Sequence, residues 1–306
     1  WNLDWRHVTG SACINVKKDD PGLLAFAREY ALPFHCYTAA QLQQVEGSFT
    51  PSAFVAKTVG VDNVCERAAV LDKELILSEF TTAMIGDSAG KFLKMLKGLG
   101  LLGAIIGPDG ASPLPREKKE YNKLSENIDK TKKIPIRRLG LFYLVFDKNY
   151  TKALHFLPHD EETLDYLEEA KRLCAKLYFC GNEEALKDFI GKFGWDKYNF
   201  YDRLLKAQNI VYDLDNQKQV GRDAVIKVIL REKQPIFVED LVIDADDIIE
   251  AGITDDRERA EYLLELLLTP VHKDRWNNDR DKLLKFARGF NKSRLRRTFK
   301  DVRWLR

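Results

Sequence analysis

A small truncated α/β domain followed by an all-α multi-helix array is the fold class predicted by this 306-residue sequence. Two observations predict it. Residues 12–71 alternate short apolar runs with helix-start signals, the pattern of strand–helix units. From residue 79 onward apolar residues instead recur at three- and four-residue spacing between short connections, as in packed helices.

Taken in order, "ACINV" (12–16) is the first expected strand. "DDPGLLAFAREYA" then supplies an Asp cap and a proline at the first helical position, with Leu23, Leu24, Phe26 and Ala27 on the apolar side. "LPFHCY" (32–37) is the second strand, after which Thr38 caps "AAQLQQV". "TPSAFVAKTVG" repeats the cap-then-proline device and stops at Gly60. "NVCERAAVL" reads as a short helix and "ELILS" (74–78) as a further strand. The domain reads as truncated, because only irregular sequence precedes "SACINV", where a first strand and helix are expected.

The helical part opens with "EFTTAMIGDSAGKFLKMLKGLGLLGAIIGP", a helix–turn–helix with Phe92, Leu93, Leu96 and Leu99 at helical spacing. "DGASPLPREKK" is the linker candidate. Helices are then expected in "IPIRRLGLFYLVF", "DEETLDYLEEAKRLCAKLYF", "NEEALKDFIGKF", "NFYDRLLKAQNIVYDL", "GRDAVIKVILREK", "RERAEYLLELLLTPVH" and "RDKLLKFARGF". The expected domains are thus residues 1–78, partial α/β, and 79–306, all-α.

Composition narrows the function classes. The chain is 45% hydrophobic and 31% charged, which excludes wholesale disorder. No apolar run approaches the roughly 20 residues of a membrane helix, and no signal peptide opens the chain, so a cytoplasmic location is expected. The five cysteines form no CxxC pair and read as reduced thiols. Net charge is only +2, but ten Lys or Arg residues against one acid, Asp301, fall between Lys282 and Arg306. That basic end is a polyanion footprint.

Two stretches resemble known families. "INVKKDDPGLLAFAREYALPFHCYTAAQLQQV" and "TPSAFVAKTVGVDNVCERAAVL" resemble the C-terminal domain of the cobalt-precorrin-5A hydrolase family of cobalamin biosynthesis. The carrying features are the Asp-Pro-Gly-Leu turn, the Leu-Pro-Phe strand and the "VGVDNVCERAA" segment. The family's opening Gly-Ile-Gly-Cys-Arg-type loop is replaced here by "WNLDWRHVTG". The resemblance implies a corrinoid ligand at the N-terminal domain, with Trp1 and Trp5 as reporters of binding.

The rest resembles the neck, body and tail of bacterial tRNA nucleotidyltransferases, the CCA-adding and poly(A) polymerase family. "FTTAMIGDSAGKFLKMLKGLGLLGAIIGP" matches the neck and "IPIRRLGLFYLVFDKNYTKALHFLPHDEETLDYLEEAKRL" the body. "KQPIFVEDLVIDADDIIEAGI" matches the tail signature. The catalytic head of that family is not in this chain. The resemblance implies tRNA as partner, held by Lys130, Lys132, Lys133, Arg137 and Arg138 and by Lys292, Arg294, Arg296, Arg297, Lys300 and Arg303, with Phe299 and Trp304 for stacking. No cofactor is expected in the chain itself, and Mg2+ only if a head is supplied.

Other candidates weigh less. Asp244, Asp246 and Asp247 of "DADD" have metal-site spacing but read as a helix cap. His35 and Cys36 make an imaginable base–nucleophile pair, yet neighbours on a strand point to opposite faces. His155 and His159 are separated by Pro158 and read as loop or cap residues. The leading expectation is therefore the tRNA-binding portion of a CCA-adding enzyme, with no catalytic carboxylates found. The alternative is a cobalt-precorrin-5A hydrolase-like protein of cobalamin biosynthesis, the joined chain reading as a fusion, a chimera or a fragment.

Overall fold

The computed structural model describes residues 11–45, 49–107 and 114–292. It divides into two compact units: residues 1–173 with 204–214, and residues 174–203 with 215–306. The expected class is present, a two-stranded parallel sheet followed by helices.

In the first unit β1 (Ser11–Ile14) pairs in parallel with β2 (Phe34–Tyr37), with Cys13 opposite Cys36 and Ile14 opposite Tyr37. The connection is α1 (Pro21–Glu29). Its cap is Asp20, whose Oδ1 accepts from the Gly22 and Leu23 amides at 2.9 and 3.1 Å, with Pro21 first in the helix. Thr38 and Gln41 form the reciprocal capping box that opens α2 (Ala39–Gln44). In α3 (Ala53–Val59) the cap is Ser52, two residues beyond the expected threonine. It ends on Gly60 at φ 81°, a left-handed conformation that a side chain would strain.

Then the first difference appears. "ELILS" is not a strand: α4 (Cys65–Ile85) is one unbroken 21-residue helix that also absorbs "NVCERAAVL". The boundary expected at residues 78/79 falls inside it. Its buried residues are Ala68, Phe80 and Met84, which recur at multiples of four, whereas a strand would need alternation. At its start α4 helps enclose a small core of Ile14, Leu42, Val61 and Ala68.

Helix α5 (Ala89–Gly98) meets α7 (Pro115–Asn127) so closely that a side chain on Gly90 would collide with the Ser125 carbonyl oxygen. Between them lies the single turn α6 (Gly103–Ile106). Half of the expected linker is therefore helix, because Tyr121 and Leu124 of α7 are fully buried. Helix α8 (Pro135–Tyr143) brings Phe142 against Phe80 at 4.9 Å and near Phe146 at 5.2 Å, the aromatic centre of this unit. Two more helices follow, α9 (Tyr150–Leu154) and α10 (Glu161–Phe179).

Helix α11 (Glu183–Tyr212) carries a break at Gly194, φ 80°, where the sequence predicts two helices. The second unit continues with α12 (Gln217–Arg231), α13 (Ala245–Glu250), α14 (Arg257–Lys273) and α15 (Arg280–Lys292). Leu263, Leu267 and Val271 of α14 pack with Ile248 and Leu283 in its apolar core. No described helix is long and apolar enough to cross a membrane.

Candidate functional site

A cavity of about 460 Å³ opens at the carboxyl end of β1. Parallel strands commonly present their ligands there, because the loops that leave them diverge and open a cleft. Its walls are mainly apolar, with Ile14, Leu23, Val55 and Val59 among them, and Lys17 supplies a cation at the exposed edge.

Hydrogen bonds fix the loop side of this cavity. Ser52 N donates to the Asp62 carbonyl at 2.8 Å. Asn63, nearly buried, donates to the Thr50 carbonyl at 2.9 Å and accepts from Glu66 N at 2.9 Å, closing the start of α4. The Thr50 amide donates to the Glu66 carboxylate at 3.0 Å, which holds that carboxyl below its ordinary range. Arg67 ties the far side: its guanidinium donates to the Leu42 and Val45 carbonyls, pairs with Asp62 at 3.1 Å and lies over the Phe49 ring. Asp62 is therefore committed to Arg67, which leaves Lys17 as the charge on the cavity edge available to an incoming anion.

The opposite-face argument for β2 holds. His35 Nδ1 lies 2.7 Å from Asp72 of α4, and the Tyr37 hydroxyl donates to the same oxygen at 2.5 Å. Cys36 faces the other way, its sulfur 3.4 Å from that of Cys13. The imagined base–nucleophile pair does not form. Burial and then the Asp72 carboxylate push the Tyr37 phenol upward, so it stays protonated and donates.

The remaining candidates take structural places. Asp244 caps α13 by accepting from Asp247 N at 3.0 Å, and Asp247 returns the bond to Asp244 N. Asp246 pairs with Arg257, and Asp247 also with Arg280. Among the described residues no group of three or more His, Cys, Asp or Glu could hold a metal. His155 pairs with Glu168 at 3.0 Å, whereas His159 lies 2.8 Å from the Tyr143 hydroxyl, so the two rings have separate partners.

Six of the basic candidates fall among the described residues. Lys130 donates to Asn127 at 2.7 Å, Lys132 is exposed, and Lys133 pairs with Asp87. Arg137 is half-buried. Arg138 is completely buried, donating to the Met84 carbonyl at 2.7 Å and to the Thr131 carbonyl at 2.8 Å, and it offers nothing to a phosphate. Lys292 ends α15 and is exposed. Arg294, Arg296, Arg297, Lys300 and Arg303, with Phe299, Trp304, Trp1 and Trp5, lie outside the described residues.

Sequence reasoning missed the cavity itself and the role of Asp72. Asp72 lies 37 residues beyond His35, and nothing local announces the pairing. The only local signal is that His35 and Tyr37 share one face of β2.

Comparison with known proteins resolves the two resemblances. The family described as cobalamin synthesis G C-terminus matches residues 1–87, which include the cavity. Cobalt-precorrin-5A hydrolase of Salmonella typhimurium is 43% identical over 69 residues, 22% of this chain. Those residues span 20% of the relative's own length. No solved structure matches. The nucleotidyltransferase reading is corrected: these matches point to cobalamin biosynthesis, none brings a CCA-adding enzyme, and tRNA processing is dropped as the function. The segment that the chain shares with known proteins is similar to a cobalamin-biosynthesis domain.

Proposed function

We propose that residues 11–85 form a cobalt-precorrin-binding module of cobalamin-biosynthesis type. The observation that carries this is the apolar cavity with a cationic edge, seated at the end of β1 within the segment that matches the cobalamin family. A corrin-type macrocycle has an apolar ring face and carboxylate-bearing arms. The cavity suits one edge of such a ring, with Ile14, Leu23 and Val55 taking apolar surface and Lys17 pairing with a carboxylate. Burying about 100 Å² of ring there would contribute roughly 2–3 kcal/mol, before the ion pair is counted.

The likeness to a hydrolase adds a reaction class to this reading. A hydrolytic step needs a group that moves a proton, and the ionisable residues on the cavity wall are Lys17, Asp62, Cys13 and Cys65. With Asp62 held by Arg67, Lys17 is the residue to substitute first.

Titration of the full chain with cobyrinic acid, a cobalt corrinoid whose arms end in carboxylates, followed by difference absorbance, tests the binding. Saturable binding is expected, abolished by Val55→Asp and weakened about tenfold by Lys17→Ala, roughly the 1.4 kcal/mol of a partly exposed ion pair. An intact folded chain that leaves the cobalt spectrum unchanged would refute the reading.

A further inference from the structure

The same sheet holds a second chemical feature. Cys13 and Cys36 are direct cross-strand partners in β1 and β2, and their sulfurs lie 3.4 Å apart on one face. All described cysteines are free thiols. Neighbouring strands run about 4.8 Å apart, within the roughly 4.4–6.8 Å that disulfide bridges span between α-carbons. Bringing these two sulfurs to bonding distance therefore asks for side-chain rotation and little movement of the backbone.

We infer that Cys13 and Cys36 form a redox-active dithiol, closed to a disulfide by a low-molecular-weight disulfide such as oxidised glutathione. The two thiols differ in access: Cys36 is partly exposed, whereas Cys13 is 8% exposed. That difference sets the order of events. The Cys36 thiolate attacks one sulfur of oxidised glutathione, forming a mixed disulfide and releasing one glutathione thiolate, which takes up the Cys36 proton. Cys13 then attacks the Cys36 sulfur, its proton passing to the second departing glutathione. Two protein thiols are oxidised, one glutathione disulfide is reduced, and two glutathione thiols leave. Burial and the neighbouring Cys36 push the Cys13 thiol up to about 11, so Cys13 is little ionised and is not the thiol that opens the sequence.

The location gives the chemistry a consequence. Cys13 forms part of the cavity wall, so closing the bond fixes the strand edge on which that cavity is built. The dithiol inference rests on the sheet alone and stands whether or not a corrinoid binds.

The test is to incubate the full chain with oxidised glutathione at pH 8 and map the cysteines by mass spectrometry. A Cys13–Cys36 cross-linked peptide lacking two hydrogens is expected, reversed by dithiothreitol. Cys13→Ser should trap glutathione on Cys36, and Cys36→Ser should leave Cys13 unmodified. A glutathione adduct persisting on Cys36 of the intact chain would overturn the proposal. So would a Cys36 that does not react, or one that bridges to Cys65. Because the cross-link and the results that would overturn it are read from peptides of the natural chain, the test does not depend on the variants folding.

Discussion

His159 sets a pH dependence that can be worked from its surroundings. The ring stands edge-on to Tyr143 at 5.4 Å between centroids, and Nε2 lies 2.8 Å from the buried Tyr143 hydroxyl. Burial pushes the imidazole down to about 4, against an ordinary value of 6.5; the neighbouring Asp160 opposes that shift and His155 adds to it. The native ring is thus neutral where the unfolded ring is already protonated. Between pH 6.5 and 4 the unfolded chain binds a proton that the native chain refuses. Stability from this group is complete above pH 6.5 and falls away as pH drops toward 4.

The gap between those values, at 1.36 kcal/mol per pH unit, amounts to about 3 kcal/mol. Because the ring is only half-buried, solvent screening reduces this to roughly 1–2 kcal/mol. Imidazole proton shifts followed by NMR from pH 8 to pH 3.5 read the group directly, and His159→Phe assigns the resonance. Urea unfolding at pH 7 and pH 5 reads the linked energy: the variant should lose about 1–2 kcal/mol less than the natural chain on acidification. A His159 ring titrating at 6.5 or above would refute the reasoning.

Three further outcomes follow from single contacts. Gly90→Ala should destabilise the first unit by about 1–3 kcal/mol in urea unfolding, because the new methyl group meets the Ser125 carbonyl where α5 and α7 touch. Arg138→Met should cost about 3–5 kcal/mol by the same assay, since the Met84 and Thr131 carbonyls lose a buried charged donor; an unchanged midpoint would show that the arginine is not the clamp. Asp244→Ala should cost about 1 kcal/mol in the second unit by removing the cap of α13, with no change in bound metal by elemental analysis.

Much of the fold was legible in the sequence because caps are local chemistry. Asp20-Pro21 and Thr38 with Gln41 start helices where their side chains satisfy amides two or three residues away, and both work in place. The failures have physical causes as well. Leu75, Ile76 and Leu77 in "ELILS" are three apolar residues in a row, which suit a buried strand and a helix equally. The outcome was decided farther along, where Phe80 and Met84 continue the buried spacing begun at Ala68. Composition misled in the same way at "PREKK", the end of the expected linker: its charge reads as solvated, yet it opens a helix in which Tyr121 and Leu124 bury one narrow stripe.

Among the candidate site residues Arg138 turned out buried, because charge along a chain does not say which charges meet solvent. Arg137 and Arg138 are neighbours in sequence but about 100° apart around α8, so one can lie near the surface while the other points inward. A run of basic residues therefore overstates its own phosphate-binding face, and here one of the five body residues is spent wholly on backbone carbonyls. Alternation along β2 was more informative, since it separated His35 from Cys36 before any partner was known. What alternation cannot supply is the identity of that partner. Asp72 reaches His35 because a helix crosses the sheet, and Cys13 reaches Cys36 because the two strands are parallel and in register. Both pairings follow from how the elements associate, and through Cys13 the second of them reaches the cavity wall.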